Sequence, residues 1–305
     1  MSDNQQEDLR PDPQALLDET KSNSRGKLKL FLGAAPGVGK TYAMLTEARE
    51  QRKEGLDVII GWVDTHGRKD TEALVKGLEV IPRLKVTVNG HTYQKLDVQS
   101  IIKRRPVTVV IDEMPNSNPP GSLHKKRWQD IDEILDVGIN VYSALNIQHL
   151  ESLNGVVSRV TGVEVTETVP DSIFDRADEV RLVDLPPDDL MLRLEAGKIY
   201  LPEIVARAKK NYFKKSNLIA LRELTLRFMA KRIDTQIKLN RQINSRREVD
   251  DMSFGLLLVL EHITSNDAIR QASRIARALS APWHCVWIEQ ATAFVIMPGL
   301  IIYLL

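Results

Sequence analysis

The chain has 305 residues, of which 43% are hydrophobic and 27% charged, and its 42 basic and 41 acidic side chains leave a formal net charge of +1. That length holds one large or two modest domains, and the composition excludes a fibrous or wholly disordered chain. The near-neutral balance gives no global pull toward nucleic acid, which is not expected as a partner, and the single cysteine, Cys285, excludes an internal disulfide.

Residues 1–24 are polar, with Asp3, Glu7, Asp8, Asp12, Asp18 and Glu19 against one Arg10 in the first twenty. They lack the apolar core of a secretory signal and read as a disordered acidic leader. Residues 27–32 (KLKLFL) alternate as a short strand, and a glycine-rich loop follows at once. Helix formers then run over 41–54 and stop at Gly55. Residues 57–63, 107–111 and 139–145 are nearly continuous apolar runs, the pattern of strands buried on both faces of a parallel sheet. A fourth run, 179–185, ends at Pro186-Pro187. Helical patterns at 128–137 and 148–160 lie between strands, so the expected class is α/β, a P-loop NTPase-like parallel sheet with flanking helices.

From 202 to 248 the pattern is helical and basic, with thirteen Lys or Arg against four acids. Residues 253–260, a helix near 266–279 and a strand at 283–288 start a second, incomplete α/β unit. The apolar ending 293–305 is interrupted by Pro298-Gly299 and is shorter than the roughly 18–20 residues that span a bilayer, so no transmembrane helix is expected.

The loop carries the chemistry. Gly33-Ala34-Ala35-Pro36-Gly37-Val38-Gly39-Lys40-Thr41 fits the P-loop pattern G-x-x-x-x-G-K-[ST], in which backbone N–H groups turn onto phosphate oxygens. Ala34 stands where the first consensus glycine belongs. Lys40 is expected to neutralise the β- and γ-phosphates of ATP, and Thr41 to ligate Mg²⁺. The strand at 107–111 runs into Asp112-Glu113: Asp112 has the Walker B position for the metal, and Glu113 is the candidate general base. Asn146, ending the next strand, is either a γ-phosphate sensor or an asparagine that simply ends a strand. The polar loops 64–69 and 116–122 should emerge on the same face, because ligands bind at the carboxyl ends of parallel strands. Within the first of them, Arg68 reads as a solvated surface arginine, with phosphate or partner contact as the alternative.

Several longer motifs go further: GAAPGVGKTYAML, GWVDTHGRKDTEAL, KRWQD, NIQHLESLN and DEVRLVDLPPDDL. Together they resemble the N-terminal cytoplasmic domain of the KdpD family, the osmosensitive potassium-channel sensor histidine kinases, over residues 25–234. From residue 253 the chain resembles the start of that family's universal-stress-protein-like domain. The resemblance implies an ATP-binding regulatory module of a two-component system controlling potassium uptake, and it makes Ala34 an expected feature of the loop. Two departures stand out. Asn116 occupies the family's usual histidine position after Walker B and cannot titrate near neutral pH. None of the histidines (66, 91, 124, 149, 262, 284) sits in an H-E-x-x-x-P context, so the kinase core is expected to be absent and the chain to be a short or truncated form. The family's cyclic di-AMP pattern is poorly matched by Thr264-Ser265-Asn266 and the strand at 283–287, where Trp283 and Trp287 read as core residues.

The expected organisation is therefore a leader (1–24), a P-loop nucleotide-binding sensor domain (25–200), a basic helical segment (201–250) and a truncated stress-protein-like domain (251–305). The basic segment reads as a solvated connector, with an anionic membrane surface, a separate kinase core or a response regulator as its candidate partners. The expected location is the cytoplasm, peripheral to the membrane. The alternative function is a P-loop ATPase or small-molecule kinase using Glu113.

Overall fold

The computed structural model describes residues 25–199, 205, 212–243, 256–260, 268–269, 271–272, 275 and 283–287. The leader, the 293–305 stretch and Thr264-Ser265-Asn266 lie outside the described residues. Contacts divide the chain into two units, residues 1–237 and 238–305.

In the first unit the elements run in order β1 (Leu28–Gly33), α1 (Lys40–Lys53), β2 (Val58–Trp62), α2 (Lys69–Val75) and β3 (Glu79–Val80). Next come β4 (Leu84–Val88), β5 (His91–Lys95), α3 (Val98–Arg104), β6 (Thr108–Ile111), α4 (Arg127–Asp136) and β7 (Asn140–Asn146). A 3-10 turn (Ile147–His149) leads to α5 (Glu151–Thr161), α6 (Asp171–Asp175), β8 (Glu179–Val183), α7 (Pro187–Glu195) and α8 (Lys215–Ile243), whose last residues pass the division between units. Six strands form one sheet in the order β3-β2-β6-β7-β1-β8, and every pairing is parallel.

The apolar runs have this shape because successive strand residues face opposite sides of the sheet and both sides are covered. On one side, Leu30, Leu32, Val109, Ile111, Val141 and Leu145 pack with Ile101 of α3, Ile131 and Ile134 of α4, and Leu218 and Leu221 of α8. On the other, Phe31, Val110, Tyr142 and Ala144 meet Met44, Leu45 and Ala48 of α1. Truncating one such buried Leu or Ile to Ala costs about 2–5 kcal/mol. Helix ends follow local chemistry. Asp97 caps α3 by accepting the Ser100 N–H at 3.0 Å, and at the start of α4 the Gln129 side-chain oxygen accepts the Lys126 N–H at 3.0 Å.

Two features differ from expectation. The helix expected over 148–160 begins at Glu151, because Leu150 is held extended by a bridge to Val169. Residues 84–95 form an antiparallel hairpin around Asn89 and Gly90, both at positive φ, the signature of a two-residue I′ turn.

In the second unit β9 (Leu256–Leu260) pairs in parallel with β10 (Trp283–Trp287), and Leu258 and Ala272 are buried together. The side chains of Trp283 and Trp287 lie outside the described residues. No helix among the described residues is long and apolar enough to cross a membrane.

Candidate functional site

The loop from Gly33 to Lys40 joins the carboxyl end of β1 to the first turn of α1. Gly37 and Gly39 have φ of 88° and 106°, a left-handed backbone that disfavours any side chain. Ala34 is absent from the positive-φ residues and is buried, as are Ala35 and Val38. The methyl at position 34 therefore meets no backbone restriction, which explains why this loop tolerates alanine there. Beside the loop's start, Gly33 aligns with Asn146 on the neighbouring strand β7. That register carries Asn146 to the loop, and Lys40 Nζ donates to Asn146 Oδ1 and lies 3.4 Å from the Ala35 carbonyl.

Strand β7 thus lies between β1 and β6, and β6 delivers the acidic pair from the far side. Thr41 Oγ1 donates to Asp112 Oδ2 at 2.7 Å. Asp112 is buried, and burial pushes its carboxyl pKa up against the opposing hydrogen bond from Thr41. Glu113 stands at φ 57°, and its N–H donates to Asp112 Oδ1 at 2.8 Å. Its carboxylate accepts from Asn116 Nδ2 at 2.9 Å and lies 3.8 Å from His66 Nε2. The two polar loops, after β2 and after β6, therefore meet at Glu113.

Burial is also the dominant influence on Lys40: desolvation lowers its pKa to about 8, with Asp112 and Glu113 opposing and Arg68 reinforcing the fall. Among the described residues the ammonium has nearby carboxylates but no salt-bridge contact, and its hydrogen-bond acceptors are neutral oxygens. An anion brought to the loop would supply the missing negative charge.

Motif reasoning did not single out Arg127, Arg193 or Ile199. Arg127 is buried beneath Trp62, its guanidinium carbon 4.1 Å from the ring, while Arg83 covers the other contact at 3.9 Å. Arg127 Nη1 donates to the carbonyls of Asp112 at 3.2 Å and Glu113 at 3.4 Å, so it anchors the backbone that presents both acids. Desolvation lowers its pKa to about 10. Over the loop, Arg193 Nη1 donates to the Gly37 carbonyl, and Arg68 Nη2 to the Ile199 carbonyl, each at 3.2 Å. Arg68 is thus tied to a neighbouring segment rather than merely solvated.

A polar chain borders the site. Tyr212 donates to Gln148 Oε1, and Gln148 Nε2 lies 3.3 Å from His149 Nε2. His149 Nδ1 donates to the Glu167 carbonyl at 2.7 Å, which fixes the ring's tautomer. Burial lowers the His149 pKa, so the ring is neutral at pH 7.

The oxygen pair of Thr41 and Asp112 fits Mg²⁺. That ion prefers one or two protein oxygens completed by phosphate and water over an all-protein cage, and no cluster of three metal-binding side chains occurs among the described residues.

The fold and the gathered side chains define a parallel α/β protein whose polar groups converge at the carboxyl ends of its central strands. Residues 24–233 match the family described as the osmosensitive K⁺ channel His kinase sensor domain, KdpD, and the chain belongs to that family. It is 50% identical over 284 residues to the sensor protein KdpD of Escherichia coli (strain K12), covering 93% of this chain and 32% of that protein. It is 42% identical over 285 residues to the sensor protein KdpD of Clostridium acetobutylicum, covering 92% and 32%. A relative from Synechocystis sp. is 40% identical over 270 residues, and there the match spans 88% of this chain and 72% of the relative. The chain spans about a third of the length of the first two relatives.

Proposed function

We propose that this chain is an ATP- and Mg²⁺-binding regulatory module of a two-component system that controls potassium uptake. The single observation that carries the nucleotide reading is the Thr41–Asp112 hydrogen bond beside a desolvated Lys40 at the end of a glycine loop. In this reading the backbone of Gly33, Ala34, Ala35, Pro36, Gly37, Val38 and Gly39 wraps the phosphates, with the first turn of α1 facing the anion. Lys40 neutralises the β- and γ-phosphates, Thr41 and Asp112 hold Mg²⁺, and Asn146 releases Lys40 to the γ-phosphate. Bound Mg²⁺ would screen phosphate charge at this site.

Output runs through the basic segment to a separate sensor kinase core or response regulator at the inner membrane face. Along α8, Ile219, Leu226, Ile233 and Ile237 are exposed among basic residues, which supports a protein partner that is both apolar and acidic. The organisation into leader (1–24), sensor domain (25–200), basic connector (201–250) and stress-protein-like unit (251–305) belongs to the same proposal.

A second reading, hydrolysis of ATP, draws on Glu113. Its half-exposed carboxylate is oriented by Asn116 next to the metal-binding pair, as a general base requires. ATP binding and phosphate release by wild type, Lys40→Ala and Glu113→Gln test both. Binding lost in Lys40→Ala with no phosphate release anywhere supports the sensor; steady release abolished by Glu113→Gln establishes an ATPase.

A further inference from the structure

The segment that follows α7 crosses back over the glycine loop. Ile199 is buried against it so closely that a Cβ on Gly37 would lie 2.3 Å from Ile199 Cδ1. Gly37 is thus constrained twice, by its left-handed backbone and by the side chain above it. The Ile199 carbonyl accepts from Arg68, which ties the segment to the loop after β2. At the other end, Arg193 Nη1 donates to the Gly37 carbonyl and lies 3.5 Å from where a Cβ on Gly39 would stand. Three contacts therefore strap residues 193–199 onto the two glycines that shape the loop.

Arg193 is exposed on the last turn of α7, and its partner on the loop is a neutral carbonyl. A polyphosphate seated in the loop offers a charged acceptor in a geometry that a planar guanidinium matches with two hydrogen bonds. Such charge-assisted bonds are about twice as strong as the bond to a carbonyl. Exchange of one acceptor for the other requires only a change of side-chain rotamer, since the backbone of the segment is already anchored by Ile199 and Arg68.

We infer that residues 193–199 form a phosphate-sensing strap, in which Arg193 leaves the Gly37 carbonyl to bind the terminal phosphates of a nucleoside triphosphate while Ile199 seats the segment on the loop. The inference rests on the nucleotide reading of the loop and adds to it a second cation, delivered from more than 150 residues downstream.

Calorimetric titration of the 305-residue chain with Mg²⁺–ATP, AMP and inorganic tripolyphosphate tests it, using wild type, Lys40→Ala, Arg193→Ala, Arg193→Lys, Ile199→Ala and the double variant Arg193→Ala with Ile199→Ala. Melting curves without ligand check folding; Arg193 is exposed, so its variants should melt as wild type does. The expected result for Arg193→Ala is about tenfold weaker binding of ATP and of tripolyphosphate, near 1.4 kcal/mol, with AMP unchanged. Arg193→Lys should restore part of the loss, and Ile199→Ala should add little to Arg193→Ala, because both act through one strap. If Lys40→Ala abolishes binding while Arg193→Ala binds ATP and tripolyphosphate as wild type does, the strap inference is overturned and the nucleotide reading stands. If wild type binds neither ligand, or Lys40→Ala binds as well as wild type, the nucleotide reading falls and the strap with it.

Discussion

Two lysines sit at opposite ends of the same structural line, Lys29 within β1 and Lys40 at the start of α1, and their environments are reversed. Burial works against the charge of each. At Lys29 it is outweighed by hydrogen bonds to Glu179 and Glu47, so the pKa rises above the ordinary 10.5. Glu47 is shared with Arg181 at 2.7 Å, closing a network in which each charge has an opposite partner. At Lys40 desolvation wins, because its nearest acceptors are uncharged. A cavity of about 520 Å³ lies at the Lys29 end, lined by Glu47, Glu50, Gln51, Glu54 and Arg181. Volume therefore points one way and electrostatics the other. An internally neutralised network has little to offer a ligand, whereas a desolvated ammonium whose hydrogen-bond acceptors are neutral oxygens would gain from an anion.

Exchanging the charges should break this contrast most sharply. In ATP titrations Lys40→Ala should lose about a hundredfold or more in affinity, near 2.7 kcal/mol, while Lys29→Ala changes it less than twofold. Equal losses would mean that both ends take part. The glycines come next. Gly37→Val should weaken ATP binding by about tenfold or more, since it needs φ near 88° and collides with Ile199. Gly55→Val, also at positive φ but facing open space, should lower stability and leave affinity unchanged.

Stability should move in opposite directions at the two lysines. Lys29→Met leaves Glu47 and Glu179 without their shared cation and should destabilise by about 1–2 kcal/mol, less than for a fully buried pair because Glu179 is exposed. Lys40→Met removes a charge held away from water and should raise the melting temperature at pH 7. The pH dependence is the smallest effect. Between pH 8 and 10.5 the unfolded chain holds the Lys40 proton and the folded chain does not. Stability from this group therefore rises with pH in that window, while ATP affinity falls as pH passes about 8. Chemical denaturation and titration at pH 7, 8 and 9 measure both slopes.

The parts legible in the sequence were those with a strong local cause. Strands β1, β2, β6 and β7 read as apolar runs because helices cover both faces of the sheet. Lys40, Thr41, Asp112 and Glu113 read as a candidate site because the first two close the glycine loop that follows β1 and the last two directly follow β6. The hairpin of β4 and β5 was missed: its residues are mostly exposed and polar, although Asn89-Gly90 between alternating residues was an available turn signal. Arg127 lay inside a recognised motif, yet its hold on the Asp112 and Glu113 carbonyls depends on the tertiary approach of α4. Arg193 and Ile199 carried no local signal, because their meaning comes from a chain segment folding back over a loop formed far earlier. Asn146 lies against Lys40 through the Gly33 register, a contact that its place at the end of a strand did not reveal.

The central claim is that Lys40 is a desolvated cation awaiting an anion while Lys29 is already satisfied. Its most direct test is an NMR titration of the lysine side-chain amines, with both resonances assigned through Lys40→Arg and Lys29→Arg, with and without Mg²⁺–ATP. The account predicts that Lys40 titrates near 8 in the free protein and rises by more than one unit with nucleotide, while Lys29 stays above 10.5 throughout. Lys40 titrating above 10 in the free protein, or failing to respond to ATP, would contradict it.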